Sequence, residues 1–356
     1  MQGIELSRRF YAEVVRPWLT LVAPELPHAA ALIGYGSELL DFDDAMSRDH
    51  NWGPRIHLLV SRANFERYAH RLVTEFLVVA PAAFHGEPIG WRNRPDPPAS
   101  GPEALGAIEH GLEVHTLEAT LERLIGVKPE ERPSAIKWLG FAEQRLLAFT
   151  AGAVLHDDDG RLTETRQQLA YFPNDIWLYK IACQWRRISE EQAFVGRTGY
   201  VGDEMGSRVI ASRLVRDVVR MGFLLDRQYA PYSKWLGSAF ARLPRAAELS
   251  PILNEALLAQ DWRERQDKLV AAYLVLARRQ LADGVGGIFE PIVGPYFGRP
   301  FVTINADAAI RASVEGIGDP VIRALPVMGS VDQLTDLTPV LEEPRWSHAI
   351  MSALLD

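Results

Sequence analysis

The sequence contains one cysteine, Cys183, in 356 residues. A single cysteine excludes an intrachain disulfide and any zinc site that needs several thiolates. Cys183 lies within a largely apolar helical pattern, which predicts a buried structural side chain. Disulfide-framework and thiolate-cluster classes of protein are therefore set aside.

Long apolar runs and an excess of basic residues are also missing. No segment reaches the roughly 18 apolar residues of a membrane helix, and the start, MQGIELSRRF, has no apolar signal core. The formal net charge is −8, whereas a general nucleic-acid binder shows a basic face. We expect a soluble cytoplasmic protein with no membrane contact and no general nucleic-acid binding, and we leave its oligomeric state open.

The order of predicted elements indicates two domains and an extension. Hydrophobic residues make up 47% of the chain, enough to bury a sizeable core. Strands and helices mix in the first part and helices dominate later, which predicts an α+β fold. We expect a small mixed-sheet domain over residues 1–130 and a helical domain over residues 131–285. A C-terminal extension over residues 286–356 is expected to pack on the helical domain.

A glycine-rich turn followed by acidic residues is the most chemically distinctive stretch. A predicted strand at residues 30–33 leads into GYGS at residues 34–37, and another predicted strand covers residues 56–60. Gly36 and Ser37 place a small residue beside a hydroxyl, where a backbone can approach a phosphate closely. The acidic residues between the strands include Asp43, Asp44 and Asp49. Carboxylates here suit Mg²⁺ bound to a triphosphate, and the alternative is a solvated acidic loop.

A charged helix face is predicted in the second half. Residues 209, 213, 216, 217 and 220 share one face, which includes Arg213, Arg216, Asp217 and Arg220. Charges on a buried face are costly unless they pair with each other or contact a ligand. A network of ion pairs, a solvated face and a cleft for an anionic ligand all remain open.

A second acidic turn, HDDDG at residues 156–160, resembles part of a calcium loop. It lacks the remaining loop ligands and the terminal glutamate of an EF-hand. We therefore predict that this turn is solvated.

The glycine-rich stretch resembles the polymerase β-type nucleotidyltransferase superfamily. Its signature is Gly followed by Gly or Ser, a spacer, and then Asp-apolar-Asp or Glu; Gly36, Ser37 and Asp49 match it, with eleven residues between Ser37 and Asp49. Asn51 stands where a second carboxylate is expected. In that superfamily the carboxylates usually lie on the strand itself, whereas here Arg55 and His57 start the strand.

Longer motifs resemble a bacterial nucleotidyltransferase-like family known as a domain of unknown function. The motifs are SRDHNWGPR, EEQAFVGRTGYVGDEMGS, APYSKWLGSAF, GLEVHT and the late GSVDQ, so the resemblance covers nearly the whole chain. The superfamily places a third catalytic carboxylate on a later strand with apolar neighbours. Glu113 in LEVHT matches that position, although alternation also allows it to face outward.

The resemblance implies transfer of a nucleoside monophosphate from an NTP to a hydroxyl or amine of an unidentified acceptor, small or macromolecular, with release of pyrophosphate. Asp49 and Glu113 would be catalytic, and Asp49, Glu113 and Asp44 would hold Mg²⁺. Gly36, Ser37, Lys234 and Arg216 would bind phosphates, and His50, Asn51 and Asp43 are further candidates. Lys234 resembles the lysine that small-molecule nucleotidyltransferases point at the triphosphate, and is otherwise a surface residue; His50 is otherwise a turn histidine.

Two other functions are kept open. The loss of one charged ligand at Asn51 suits a catalytically impaired nucleotide-binding protein. A partner-binding, antitoxin-like module built on the helical half is the third hypothesis. If the chain is a transferase, Ser37, Asp49 and Glu113 should converge on one cleft.

Overall fold

The computed structural model of the protein describes residues 1–48, 52–89, 110–128 and 131–355. Two compact units make up the chain. The first unit contains residues 1–132 and 145–170, and the second contains residues 133–144 and 171–356. The predicted α+β class is confirmed, since a small mixed sheet accompanies many helices.

A four-stranded mixed sheet forms the centre of the first unit, in the order β5-β2-β1-β6. Its strands are β1 (Ala29–Leu32), β2 (Ile56–Leu59), β5 (Leu112–His115) and β6 (Ala153–Asp157). Strand β1 runs antiparallel to β2 and β6, whereas β2 and β5 are parallel. A separate two-stranded hairpin is formed by β3 (Ala83–Phe84) and β4 (Glu87–Pro88). The parallel register places His57 beside Glu113.

Helices cover this sheet and bury its apolar side chains. They are α1 (Gly3–Phe10), a π-helical turn (Tyr11–Val15), α2 (Arg16–Val22), a 3₁₀ turn (Ser37–Leu40), α3 (Arg62–Val79), α4 (Leu117–Ile125), α6 (Glu143–Thr150) and α7 (Arg161–Gln168). The first two residues of α6, Glu143 and Gln144, belong to the second unit. Phe10, Leu58, Leu72 and Phe76 belong to one buried cluster with the strands. Removal of this apolar surface from water stabilises the unit.

Local sequence signals explain where two of these helices begin and end. The Ser61 hydroxyl accepts a hydrogen bond from the backbone N–H of Asn64 at the start of α3. Thr116 caps α4 in the same way through Ala119, and α4 ends at Gly126, whose φ is +73°. Ser61 and Thr116 lie within two residues of the ends of β2 and β5, so helices follow these strands closely.

The first unit also contains residues that follow the predicted domain boundary at residue 130. Residues 145–170 were expected in the helical domain, yet β6 lies within them and pairs with β1. The acidic turn predicted at residues 156–160 is shorter than expected, because His156 and Asp157 belong to β6. Side chains along β6 are all partly exposed, so the strand lacks the apolar alternation that marks a half-buried strand in a sequence.

The second unit is mainly helical and includes residues 286–356. Its helices are α5 (Ala135–Leu139), α8 (Asn174–Glu191), α9 (Phe194–Tyr200), α10 (Glu204–Leu225), α11 (Ser233–Phe240), α12 (Ala246–Leu258), α13 (Trp262–Ala282), α14 (Ala306–Glu315), α15 (Pro320–Ala324), α16 (Val331–Leu334), α17 (Thr338–Glu342) and α18 (Pro344–Leu355). A short hairpin joins β7 (Val293–Pro295) to β8 (Val302–Ile304), with a 3₁₀ turn (Tyr296–Gly298) between them. Cys183 on α8 is buried, as predicted, and burial raises the pKa of its thiol to about 12.

Buried charges lie at the centre of the second unit. The Lys180 ammonium is fully buried, 2.9 Å from Glu143 Oε1, and donates to Ser330 Oγ at 2.8 Å. The other Glu143 oxygen accepts the backbone N–H of Ala230 at 2.6 Å, and Asp332 Oδ2 accepts the backbone N–H of Glu143 at 3.0 Å. A charge is tolerated in such a place when a partner and hydrogen bonds surround it.

Ion pairs account for much of the charged face predicted on α10. Arg213 pairs with Glu191 at 2.8 Å, and Asp217 pairs with Arg187 at 3.0 Å. Arg216 forms an ion pair with Asp336. Of the alternatives that the sequence left open, the network of ion pairs is the one that these contacts support.

No helix in the described part of the chain is both long enough and apolar enough to cross a membrane.

Candidate functional site

A glutamate held between two histidines lies on the parallel strand pair of the first unit. Glu113 Oε1 is 3.4 Å from His57 Nε2, and Glu113 Oε2 is 2.9 Å from His115 Nε2. Residues two apart on a strand share a face, which places His115 beside Glu113, and the parallel register brings His57 alongside. The three side chains therefore form one polar cluster, called here the His–Glu–His cluster.

Burial and charge set the protonation of this cluster. Burial lowers the pKa of His57 to about 4 despite the opposing charge of Glu113, so the ring is neutral at neutral pH. Burial alone would raise the pKa of Glu113, but His57 and the hydrogen bond from His115 outweigh it and hold that pKa at about 2. The cluster thus presents an ionised carboxylate, with about 9% of Glu113 exposed.

A second buried ion pair lies next to the glycine-rich turn. Arg55 donates from Nε and Nη2 to Glu38 Oε1, at 3.0 and 2.7 Å, and from Nη2 to the Tyr35 carbonyl. Burial raises the pKa of Glu38, an effect that Arg55 opposes. Gly36, two residues before Glu38, has φ of +140°, which an L side chain rarely adopts. The pair fixes this turn against the start of β2.

The Ser37 hydroxyl is engaged within the protein. It donates to the Ser47 carbonyl at 2.6 Å and is buried. The chain that leads toward residue 49 is therefore tied to the turn. On the other side, the Arg48 guanidinium stacks on the Trp52 ring at 4.3 Å, and Trp52 Nε1 donates to Asp43 Oδ2 at 3.0 Å.

The other residues of this loop that the sequence predicted to be functional are Asp43, Asp44, Asp49, His50 and Asn51. Asp49, His50 and Asn51 lie outside the described residues, so their predicted roles stay predictions. Asp43 accepts from Gly3 and Trp52, which gives one of its oxygens a structural use. Asp44 is exposed and accepts the backbone N–H of Met46.

Two predicted phosphate ligands belong to the second unit. Arg216 is paired with Asp336. Lys234 lies in the first turn of α11, exposed, with Nζ 4.7 Å from the centre of the Trp235 ring. The preceding residues Tyr232 and Ser233 line a cavity of about 60 Å³ together with Arg220, Asp332 and Asp336.

The sequence did not indicate four residues of the site as functional candidates: His57, His115, Glu38 and Arg55. A signal existed for His115, because the spacing in E-V-H places it on the face of Glu113. His57 required knowledge of which strands pair, and Glu38 required the partner Arg55, seventeen residues away. Neither pairing follows from local sequence patterns.

Comparison with known proteins identifies a domain but no activity. The sequence pattern of a domain of unknown function, DUF4037, matches residues 138–236, which supports the predicted resemblance over that range. A solved structure described as a nucleotidyltransferase-like protein from Exiguobacterium sibiricum 255-15 is similar at 11% sequence identity. It covers 79% of this chain and 76% of its own, with a TM-score of 0.33. No curated protein matches the sequence.

Proposed function

We propose that the first unit is a nucleotidyltransferase domain that transfers an NMP group from an NTP to a hydroxyl or amine of an acceptor. The observation that carries the proposal is Glu113. It is ionised and lies on β5, parallel to the strand that follows the glycine-rich turn. This is the position that the superfamily resemblance assigns to its third carboxylate.

Glu113 is suited to accept the acceptor's proton or to contact a cation. A carboxylate with a pKa near 2 is fully ionised at neutral pH. His57 and His115 act as positioning residues, because each nitrogen faces one oxygen of this carboxylate. The orientation of the group is thereby set before any substrate arrives.

Mg²⁺ is the proposed cofactor of this site. Mg²⁺ binds through one or two carboxylates together with substrate phosphates, and Glu113 supplies one such carboxylate. Asp49 and Asp44 are the proposed additional ligands. When bound, Mg²⁺ would neutralise charge on the phosphates of the NTP.

The remaining roles follow from the turn and the second unit. The Gly36 backbone is proposed to approach the β- and γ-phosphates, since no side chain obstructs it. Ser37 is proposed as a phosphate ligand from its sequence, and its bond to Ser47 gives it a positioning role for the segment before Asp49. Lys234 and Arg216 are proposed to offset charge on the leaving pyrophosphate.

The test is incubation with each labelled NTP, Mg²⁺ and a metabolite extract, followed by mass spectrometry for a nucleotide-sized addition. We expect Glu113→Gln to abolish transfer. Glu118→Gln is the matched control, because Glu118 lies five residues away, on α4, and pairs with Arg161 on the surface. Transfer that survives in Glu113→Gln would remove Glu113 from the catalytic set.

A second candidate is a nucleotide-binding protein without transferase activity. Arg55 and His57 occupy the start of β2, where the superfamily usually carries carboxylates, and Arg55 is paired with Glu38. An NTP with Mg²⁺ should then raise the melting temperature, because a ligand that binds only the folded state stabilises it. A thermal shift without transfer favours this candidate. If neither occurs, the partner-binding module becomes the better account.

A further inference from the structure

A second cluster of metal-binding side chains lies at the β1–β6 edge of the first unit. His28 directly precedes β1, His156 lies near the end of β6, and Asp158 follows β6. One ligand atom from each of the three residues lies within 4.8 Å of the others. The antiparallel pairing of β1 with β6 brings together residues that are 128 and 130 positions apart in the chain.

Hydrogen bonds orient the His28 ring as a metal ligand requires. His28 Nδ1 lies 3.0 Å from the Leu26 carbonyl, which can only accept, so Nδ1 carries the proton in the neutral ring. His28 Nε2 then keeps its lone pair, toward which the Tyr11 hydroxyl donates at 2.8 Å. A backbone carbonyl that fixes the tautomer of a histidine in this way is typical of metal ligands.

Asp158 is held between the two histidines. Its Oδ2 accepts the backbone N–H of His28 at 2.9 Å, and its Oδ1 is 2.8 Å from His156 Nε2. Each carboxylate oxygen has two lone pairs, so both oxygens can still coordinate an ion. The other acidic side chains of the turn have local uses, because Asp157 caps Thr163 and Asp159 accepts from Arg161.

The two histidines lie close enough to bind one ion. The centres of the His28 and His156 rings are only 4.6 Å apart. Asp158 supplies a carboxylate at the same point, where its oxygens contact the His28 backbone N–H and the His156 ring.

We propose that His28, His156 and Asp158 form a binding site for a divalent transition metal, and that Zn²⁺ is the ion that fits. Two imidazole nitrogens and one carboxylate oxygen are the ligands that Zn²⁺ accepts, whereas Mg²⁺ and Ca²⁺ prefer oxygen alone. The Tyr11 hydroxyl would give up its bond to His28 Nε2 on binding. A fourth position is left for that hydroxyl or for water.

Access to the site is available beside His28. This residue lines a cavity of about 140 Å³, together with residues of α3 and α7 that include Asn64 and Arg161. The His156 side chain is 27% exposed and that of Asp158 is 41% exposed. An ion can therefore reach the cluster without unfolding of the sheet.

The test uses the full chain after treatment with EDTA. Titration with Co²⁺, followed by visible absorption, should show one bound equivalent that Zn²⁺ displaces and Mg²⁺ does not. We expect His156→Gln and Asp158→Asn each to weaken Zn²⁺ binding at least about tenfold. His70→Gln is the matched control, because His70 is exposed on α3 and should leave binding unchanged.

Two further measurements separate ligand loss from misfolding. Circular dichroism and urea denaturation should show that Asp158→Asn, which keeps the size of the side chain, folds like the wild type. X-ray absorption at the cobalt edge should show two imidazole ligands in the wild-type complex. The proposal is overturned if the wild type binds neither ion, if folded Asp158→Asn binds as tightly as wild type, or if the spectrum shows no imidazole. None of these readouts depends on NTP binding or transfer.

Discussion

Replacement of Lys180 with methionine tests the buried charges of the second unit. Methionine keeps most of the length of the lysine side chain but removes the ammonium that lies 2.9 Å from Glu143 and 2.8 Å from Ser330. Lys180 is 0% exposed and Glu143 is 5% exposed, so water cannot replace the lost cation. Removal of one partner from such a pair costs about 3–5 kcal/mol. We expect the free energy of unfolding to fall by that amount.

The matched control is Lys268→Met on α13. Lys268 Nζ is 2.5 Å from Glu255, but the two side chains are 37% and 54% exposed. An exposed pair of this kind is screened by solvent and salt, so the control should change stability little. Urea denaturation, followed by near-ultraviolet circular dichroism, measures both variants on the same scale. A cost below about 1 kcal/mol for Lys180→Met would refute the reasoning that water and nearby groups cannot replace the lysine.

The dependence on pH gives a second readout of the same variant. Burial, together with the charge of Glu143, raises the pKa of Asp332 to about 6 in the intact protein, although Lys180 opposes this shift. Without the lysine, the folded protein should take up protons on Glu143 and Asp332 more readily. A folded state that binds more protons than the unfolded state gains stability as pH falls. The loss in Lys180→Met should therefore be smaller at pH 5 than at pH 8.

Three further predictions concern the first unit and a helix contact. The pKa of His57 is about 4 in the folded protein, against about 6.5 in the unfolded chain, so the stabilisation from its neutral ring is fully present above pH 6.5. The free energy of unfolding should fall by up to roughly 3 kcal/mol toward pH 4, and His57→Gln should flatten this pH dependence in urea titrations. Gly199→Ala should cost about 1–3 kcal/mol by calorimetry, because the added Cβ would lie 2.3 Å from Trp262, whereas Gly237→Ala meets nothing and should be neutral or stabilising. Asn51→Asp should tighten the Mg²⁺ dependence of NMP transfer and leave its rate unchanged or faster, since a carboxylate binds Mg²⁺ better than an amide; slower transfer would give Asn51 another role.

Much of the fold could be predicted because its elements carry strong local signals. Helix α4 carries such signals, because Thr116 caps its start and Gly126 ends it. The predicted strands at residues 30–33 and 56–60 agree with β1 and β2 within one residue at each end. Apolar periodicity and caps are local properties, so a single sequence shows them.

There is a physical reason why strand β6 could not be predicted from the sequence. Its stability comes from backbone pairing with β1 and from contacts at a sheet edge, which leave every side chain partly exposed. The sequence pattern of an acidic turn, HDDDG, therefore dominates the local signal. The same acidic signal pointed to calcium or solvent, whereas the fold brings His28 next to His156.

For the candidate site, the sequence singles out individual residues but does not show which residues contact them. Apolar neighbours placed Glu113 on a strand, and the structure brings it to His57 and His115. The phosphate role of Ser37 stays a prediction, and the structure adds a hydrogen bond from its hydroxyl to the Ser47 carbonyl. Partners distant in sequence are decided by strand pairing, which no local pattern contains.

The return of β6 to the first sheet has a consequence for how the chain can be divided. The polypeptide passes between the two units three times, near residues 132, 144 and 170. A fragment that stops at residue 132 would leave one side of β1 without its hydrogen-bonded neighbour, and an unpaired strand edge invites association with other chains. Neither unit is a continuous segment that a single cut could release. Each unit is built from two separate segments of the chain, so a gene fragment that encodes either unit alone would have to join separated pieces of the sequence.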